Sequence, residues 1–290
     1  MTQPKTKFVV SLAANYMTID VMQATPAAGV HGAWKQWLAY LHRNDASNYR
    51  LVESITVQGN TGNPGLAVLF LKGLDVLRRN PHYVLTGTPL EVVLGPTLSR
   101  VGTLEMTSDG TAKLSDADKQ AYVEAWIAQN WKMQATDCVV CSIPFGKAGG
   151  HLITCIERYI VDVIHSLCEH EGIQLRSCQP ALATHVVGLI NEAVRRPNSK
   201  TSAEPQGLCC TVFTERAIDG RRAPIVQFVV HGAVESLVIT RMWLDKDGDG
   251  HGDAEVAGVI ERLRAQHGNA AAPTVERIHW PHHPTEVVHT

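Results

Sequence analysis

The stretch from Thr136 to Asn191 constrains this chain most, because it sets apolar runs of strand and helix length between short turn signals. Cys138-Val139-Val140-Cys141-Ser142-Ile143 closes on Pro144 and the glycines beyond it, which predicts a buried strand. Leu152, Ile156, Tyr159, Ile160, Val163, Ile164 and Leu167 then recur at three- and four-residue steps. They predict one face of a helix from about His151 to Glu171. Gly172 is placed to stop that helix, since glycine takes the left-handed C-terminal position without steric cost. Ile173-Gln174-Leu175 begins a second strand, Pro180 punctuates, and 181–194 predicts a second helix. Strand, helix, strand, helix with short joints predicts an α/β protein, a sheet covered by helices.

Length permits two domains of ordinary size in 290 residues. With 44% apolar and 19% charged residues the chain is globular in composition. Its formal net charge of −2, without a basic stripe, argues against a general affinity for nucleic acid or anionic membrane. Lys5 and Lys7 lead into Phe8-Val9-Val10, too short for a signal core, and no apolar run approaches the ~18–20 residues that span a bilayer. A soluble protein is expected. Seven cysteines without extracellular spacing fit a reducing compartment. Cys138 and Cys141 form a lone CxxC, and positions three apart on a strand face opposite ways. Buried core thiols, not a zinc or redox site, are the expectation.

In chain order, Phe8–Leu12 and Tyr16–Met22 predict two strands around a turn at Ala14-Asn15. Residues 33–41 predict a short helix with Trp34, Trp37, Leu38 and Leu41 on one side, either core-facing or an exposed docking patch. Leu51–Val57 predicts a strand, 58–65 a turn-rich loop, and Leu66–Arg79 a helix stopped by Asn80-Pro81. His82–Thr86, Leu90–Leu94 and Val101–Met106 are strand-like, and Gly95-Pro96 turns the chain. Ser115–Met133 predicts a helix capped by Ser115 with Asp118 three residues on, carrying Tyr122, Val123, Trp126, Ile127 and Trp131. Residues 195–207 form a polar loop, and 208–217, 224–230 and 235–243 predict further strands, the first two joined at Asp219-Gly220. Residues 254–266 predict a last helix and Thr274–His279 a closing strand.

One explicit metal-like motif occurs. Asp245, Asp247 and Asp249 stand at positions one, three and five of an EF-hand-like loop, Gly250 at six and Asp253 at nine. Alternating oxygen ligands and a glycine at the sharp bend suit calcium. Position twelve, however, is Val256 where a bidentate glutamate belongs, and a strand rather than a helix is expected to enter. The competing reading is a strand-to-helix connection in which Asp253 caps the helix. His279, His282 and His283 lie among prolines at the end of the chain and predict a mobile tail over 281–290. No nucleophile elbow, Walker loop, dinucleotide fingerprint or zincin helix is present, and Phe145–Gly150 lacks phosphate-loop spacing. No catalytic constellation is found, so an enzyme is not expected.

The helix ending Glu171-Gly172-Ile173, the strand to Ser177, and Gln179-Pro180-Ala181 leading to a helix that reaches Asn191 form an ordered pattern. It resembles the second half of the actin-like cytoplasmic modules of type IV pilus and type II secretion assembly platforms, the PilM and GspL type. Glu91–Pro96 with Val101–Met106 resembles the hairpin of their small extra subdomain. The resemblance implies an α/β, divergent actin-like (ribonuclease H-like) fold of two lobes with mixed sheets flanked by helices. The first lobe would span 1–135, with the subdomain at about 82–133, and the second 136–280. It also implies that the opening hairpin should carry an acidic residue and a glycine for metal and phosphate. Ser11 and Ala13 stand there instead, and no DxGxxxT signature follows in the later strands, so ATP is not expected as a cofactor. What remains implied is a non-catalytic cytoplasmic adaptor at the inner membrane, reached through other proteins of an assembly platform. Calcium binding by Asp245, Asp247, Asp249 and Asp253 is the alternative, and an actin-like ATPase the third reading.

Overall fold

The computed structural model describes residues 5–13, 16–24, 49–59, 65–105, 115–145, 150–187, 209–215, 225–231, 236–242, 257–258, 261, 265 and 274–280. By mutual contact the chain divides into two compact units. The first comprises 1–98, 158–188 and 281–290, the second 99–157 and 189–280. This division follows the sheets and so differs from the single cut at 135/136 expected from sequence.

In the first unit, β1 (Thr6–Leu12), β2 (Tyr16–Ala24), β3 (Tyr49–Gln58), β4 (Pro89–Leu94) and β8 (Gln174–Pro180) form a sheet of order β3-β2-β1-β4-β8. β1, β2 and β3 are antiparallel, while β4 and β8 run parallel to β1. Phe8, Val10, Leu12, Met17, Ile19, Val21, Leu90, Val92 and Leu94 occupy one face of this sheet and are all fully buried. Helix α1 (Leu66–Arg79) covers that face through Leu69, Phe70, Leu74 and Leu77. Gly73 lets it approach, since a Cβ there would meet Met17 and Ile19. Helix α3 (Arg158–His170) packs beside α1 through Ile160, Ile164 and Cys168. β3 is an edge strand, and its register slips between Val21 and Met22, leaving Val52 unpaired in a bulge.

α1, β3 and β4 lie where the sequence predicts. Three segments do not. Residues 151–157 belong to a strand, β7 (Gly150–Glu157), and helix begins only at Arg158. Leu152 and Ile156 are therefore strand residues, and Tyr159 is 57% exposed. The physical reason is that Ile153, Thr154 and Ile156 are β-branched and pair with two neighbouring strands, which outweighs a helical spacing that 152 and 156 match by coincidence. His82–Thr86 is not a strand: Asn80 accepts hydrogen bonds from the His82 and Tyr83 amides and turns the chain. Finally, β4 and β5 (Ser99–Glu105) form no hairpin, because β4 lies between β1 and β8 while β5 pairs with β7.

In the second unit, β6 (Cys138–Phe145) completes a sheet of order β5-β7-β6. Helix α2 (Asp116–Trp131) closes one face by packing Val123 and Ile127 on Leu104 and Ile153, with Trp126 and Trp131 against that cluster. Gly102 makes room: a Cβ there would strike Trp126 at 2.7 Å. Ser115 and Asp118 form a complete capping box at the start of α2, as the sequence predicts. β9 (Cys209–Glu215), β10 (Ile225–His231), β11 (Ser236–Met242) and β12 (Thr274–Trp280) make a further sheet, order β11-β10-β9-β12. Its two antiparallel joints and one parallel joint repeat the arrangement of β3-β2-β1-β4.

Candidate functional site

In open α/β sheets, ligands gather at the carboxyl ends of parallel strands, so the ends of β1, β4 and β8 are the place to begin. β1 finishes at Leu12, whose carbonyl accepts from the Gly95 amide at 2.9 Å just beyond β4. The Ala13 amide donates to the Tyr16 carbonyl at 2.9 Å, closing the β1–β2 hairpin. β8 ends in Pro180, and a helical segment over 181–187 follows, where the Thr184 hydroxyl donates to the Pro180 carbonyl at 3.1 Å.

The sheet face opposite α1 is also covered, and mixes polar groups with the buried Val9, Met22 and Val93. Register places Lys7, Ser11, Thr18, Asp20 and Glu91 on it. Lys7 is 4% exposed, Ser11 and Thr18 3%, and Asp20 7%. The Lys7 ammonium lies 3.2 Å from Glu91 Oε1 and 4.8 Å from the centre of the Tyr49 ring. Ser54 donates to Asp20 Oδ1 at 2.7 Å. Such groups leave water only if paired, because an isolated charge in a low-dielectric interior is too costly to keep. The signal for this set was visible in the sequence as Lys7, Asp20 and Glu91, each set within an apolar strand run, but their mutual pairing needed the register.

At the hairpin, Ser11 and Ala13 stand beside the turn, where magnesium would need a carboxylate and phosphate a free amide. Neither Ser11 nor Ala13 supplies the carboxylate that holds the ion or its water shell, and the Ala13 amide is already engaged with Tyr16. The nearby carboxylates on this face, Asp20 and Glu91, are taken by Ser54 and Lys7.

Other residues singled out in the sequence fare differently. Asp245, Asp247, Asp249 and Asp253 lie outside the described residues, as do Trp34, Trp37, His282 and His283. Phe145–Gly150 joins two strands rather than leading into a helix. Cys138 and Cys141 face opposite ways as expected, but Cys141 is exposed and so is not a core thiol. Burial pushes the thiols of Cys155, Cys168 and Cys178 up to about 12, which keeps them protonated and unreactive at neutral pH. Among the described residues, no three His, Cys, Asp or Glu side chains come together to hold a metal. Among them also, no helix is long and apolar enough to cross a membrane.

No protein-family model matches the sequence, and no curated protein matches it. Solved structures do match the fold. The PilM–PilN type IV pilus biogenesis complex aligns with a TM-score of 0.52 at 8% identity, over 94% of this chain and 81% of that one. A protein with an actin-like ATPase fold from Bacteroides thetaiotaomicron aligns with a TM-score of 0.50 at 7% identity, over 96% and 84%. The cytoplasmic domain of EpsL, an inner-membrane component of the Vibrio cholerae type II secretion system, aligns at 0.46 and 8% identity, over 95% and 82%. The chain is an α/β protein with a divergent actin-like fold. Its fold is of the kind found in the PilM–PilN complex.

Proposed function

We propose that this protein is a cytoplasmic adaptor of a pilus or secretion assembly, actin-like in fold and without a working nucleotide switch. The observation that carries the reading is the agreement in fold with the PilM–PilN complex over 94% of the chain. The hairpin supports its second half, since Ser11 and Ala13 offer magnesium no charge and phosphate no free amide at that turn. Its work is scaffolding: binding proteins of an inner-membrane platform through its surface, with no chemistry of its own.

Two measurements test it. A ligand that binds only the folded state raises the melting point by mass action. ATP with magnesium is expected to leave the melting point unchanged, and a saturable rise would make the protein a nucleotide-binding module instead. Affinity purification from detergent-solubilised cells should then recover components of an inner-membrane assembly platform in fixed proportion to the bait. Recovery of the bait without any such component would sink the adaptor reading.

A further inference from the structure

β6 stands at the edge of its sheet, and no described strand pairs with its outer side. Its residues, Cys138 to Phe145, include no charge, and their register against β7 runs without a break. Cys141, Ser142 and Pro144 are exposed, and Val139 is 38% exposed. An edge of this kind offers a row of backbone donors and acceptors to another strand, and natural sheets ordinarily blunt it. The contrast within this molecule is direct. β3, an edge of the five-stranded sheet, carries the bulge at Val52 with Arg50 and Glu53 beside it, which are devices against edge pairing. β6 has only Pro144, next to its last residue.

We propose that two copies of this chain pair through β6, antiparallel about a two-fold axis at Cys141, joining their three-stranded sheets into one. A two-fold interface uses the same patch on both copies, so the patch must be complementary to itself. β6 meets that condition. Val139 falls opposite Ile143 of the second copy and Cys141 opposite Cys141, so no like charges meet across the pair, as they would on a charged edge. The carboxylates near the strand, Asp137 just before it and Glu157 opposite Cys138, sit at its start. Antiparallel pairing sends them to opposite ends of the joint. This pairing stands apart from the adaptor reading and can hold or fail without it.

Light scattering on the purified full chain is expected to give a mass rising with concentration toward twice that of one chain. Residues directly opposite across two strands have Cβ atoms about 4.5–5.5 Å apart, so mild oxidation or a short bis-maleimide should trap the dimer through Cys141. Cys141→Ser keeps the dimer and abolishes the cross-link. Cys141→Lys sets two ammonium groups opposite one another and returns a folded monomer, with its circular dichroism unchanged and its melting point no longer dependent on concentration. Val139→Asp, at another exposed position, gives the same loss independently. A single-chain mass at every attainable concentration overturns the proposal, and so does a dimer that survives both charged substitutions.

Discussion

Lys7 is a buried charge on the face of the first sheet opposite α1. With its side chain 5% exposed and that of Glu91 19% exposed, the pair sits largely out of water. Removing one partner leaves a largely buried charge without its ion-pair partner, a loss typically of about 3–5 kcal/mol. Glu91→Gln should therefore lower stability on that scale in a denaturant titration, and a change within experimental error would mean that Lys7 finds another partner. Glu171 is a second case, at the surface. A hydrogen bond from Arg78 is the main cause holding its carboxyl below the ordinary range, with a contribution from His170. A depressed carboxylate adds stability above its unfolded pKa, and that stability is lost as pH falls through the folded value. Arg78→Ala should thus lower the melting point at neutral pH, with the gap to wild type closing in acid. A gap that is the same at every pH would show that the bond does not titrate with folding.

Gly172 shows how much of an element a single sequence position can fix. It adopts φ +67°, its amide donates to Glu169 at 3.1 Å, and the Ile173 amide donates to Cys168 at 2.8 Å. These are the two bonds of a Schellman motif, as the glycine after a helical run predicts. Any other L residue there meets the left-handed penalty, and a Cβ would also press Thr86 at 3.3 Å. Gly172→Ala should cost about 1–2 kcal/mol, read as a lower melting point with α3 still formed by circular dichroism. Other elements were less legible. Residues 151–157 satisfy a helical spacing and a strand propensity at once, and only their pairing to β5 and β6 settles the choice. The capping box at Ser115 was legible because both partners are local, three residues apart. The partners of β4, β1 and β8, are not local in sequence, so the neighbouring β5 looked like its mate.

At the scale of the molecule, the repeat of one strand order, β3-β2-β1-β4 and β11-β10-β9-β12, is the clearest sign of an actin-like plan. The alternative reading of Asp245, Asp247, Asp249 and Asp253 is tested on the whole protein as well. If the loop is a connection only, calcium should leave the melting point where EDTA leaves it. A calcium-dependent rise that Asp245→Ala with Asp247→Ala removes would make the loop a site. The sequence by itself determined the α/β class, the extent of α1, the caps of α2 and α3, and the presence of Ser11 and Ala13 beside the opening turn. Each of these is set by residues within a few positions of one another. Only the tertiary structure decided that β4 and β8 flank β1, that β7 is a strand, and that Lys7 meets Glu91. Those outcomes depend on which distant backbones share a ladder, and ladder register depends on burying one apolar face against α1 and α3 at the same time.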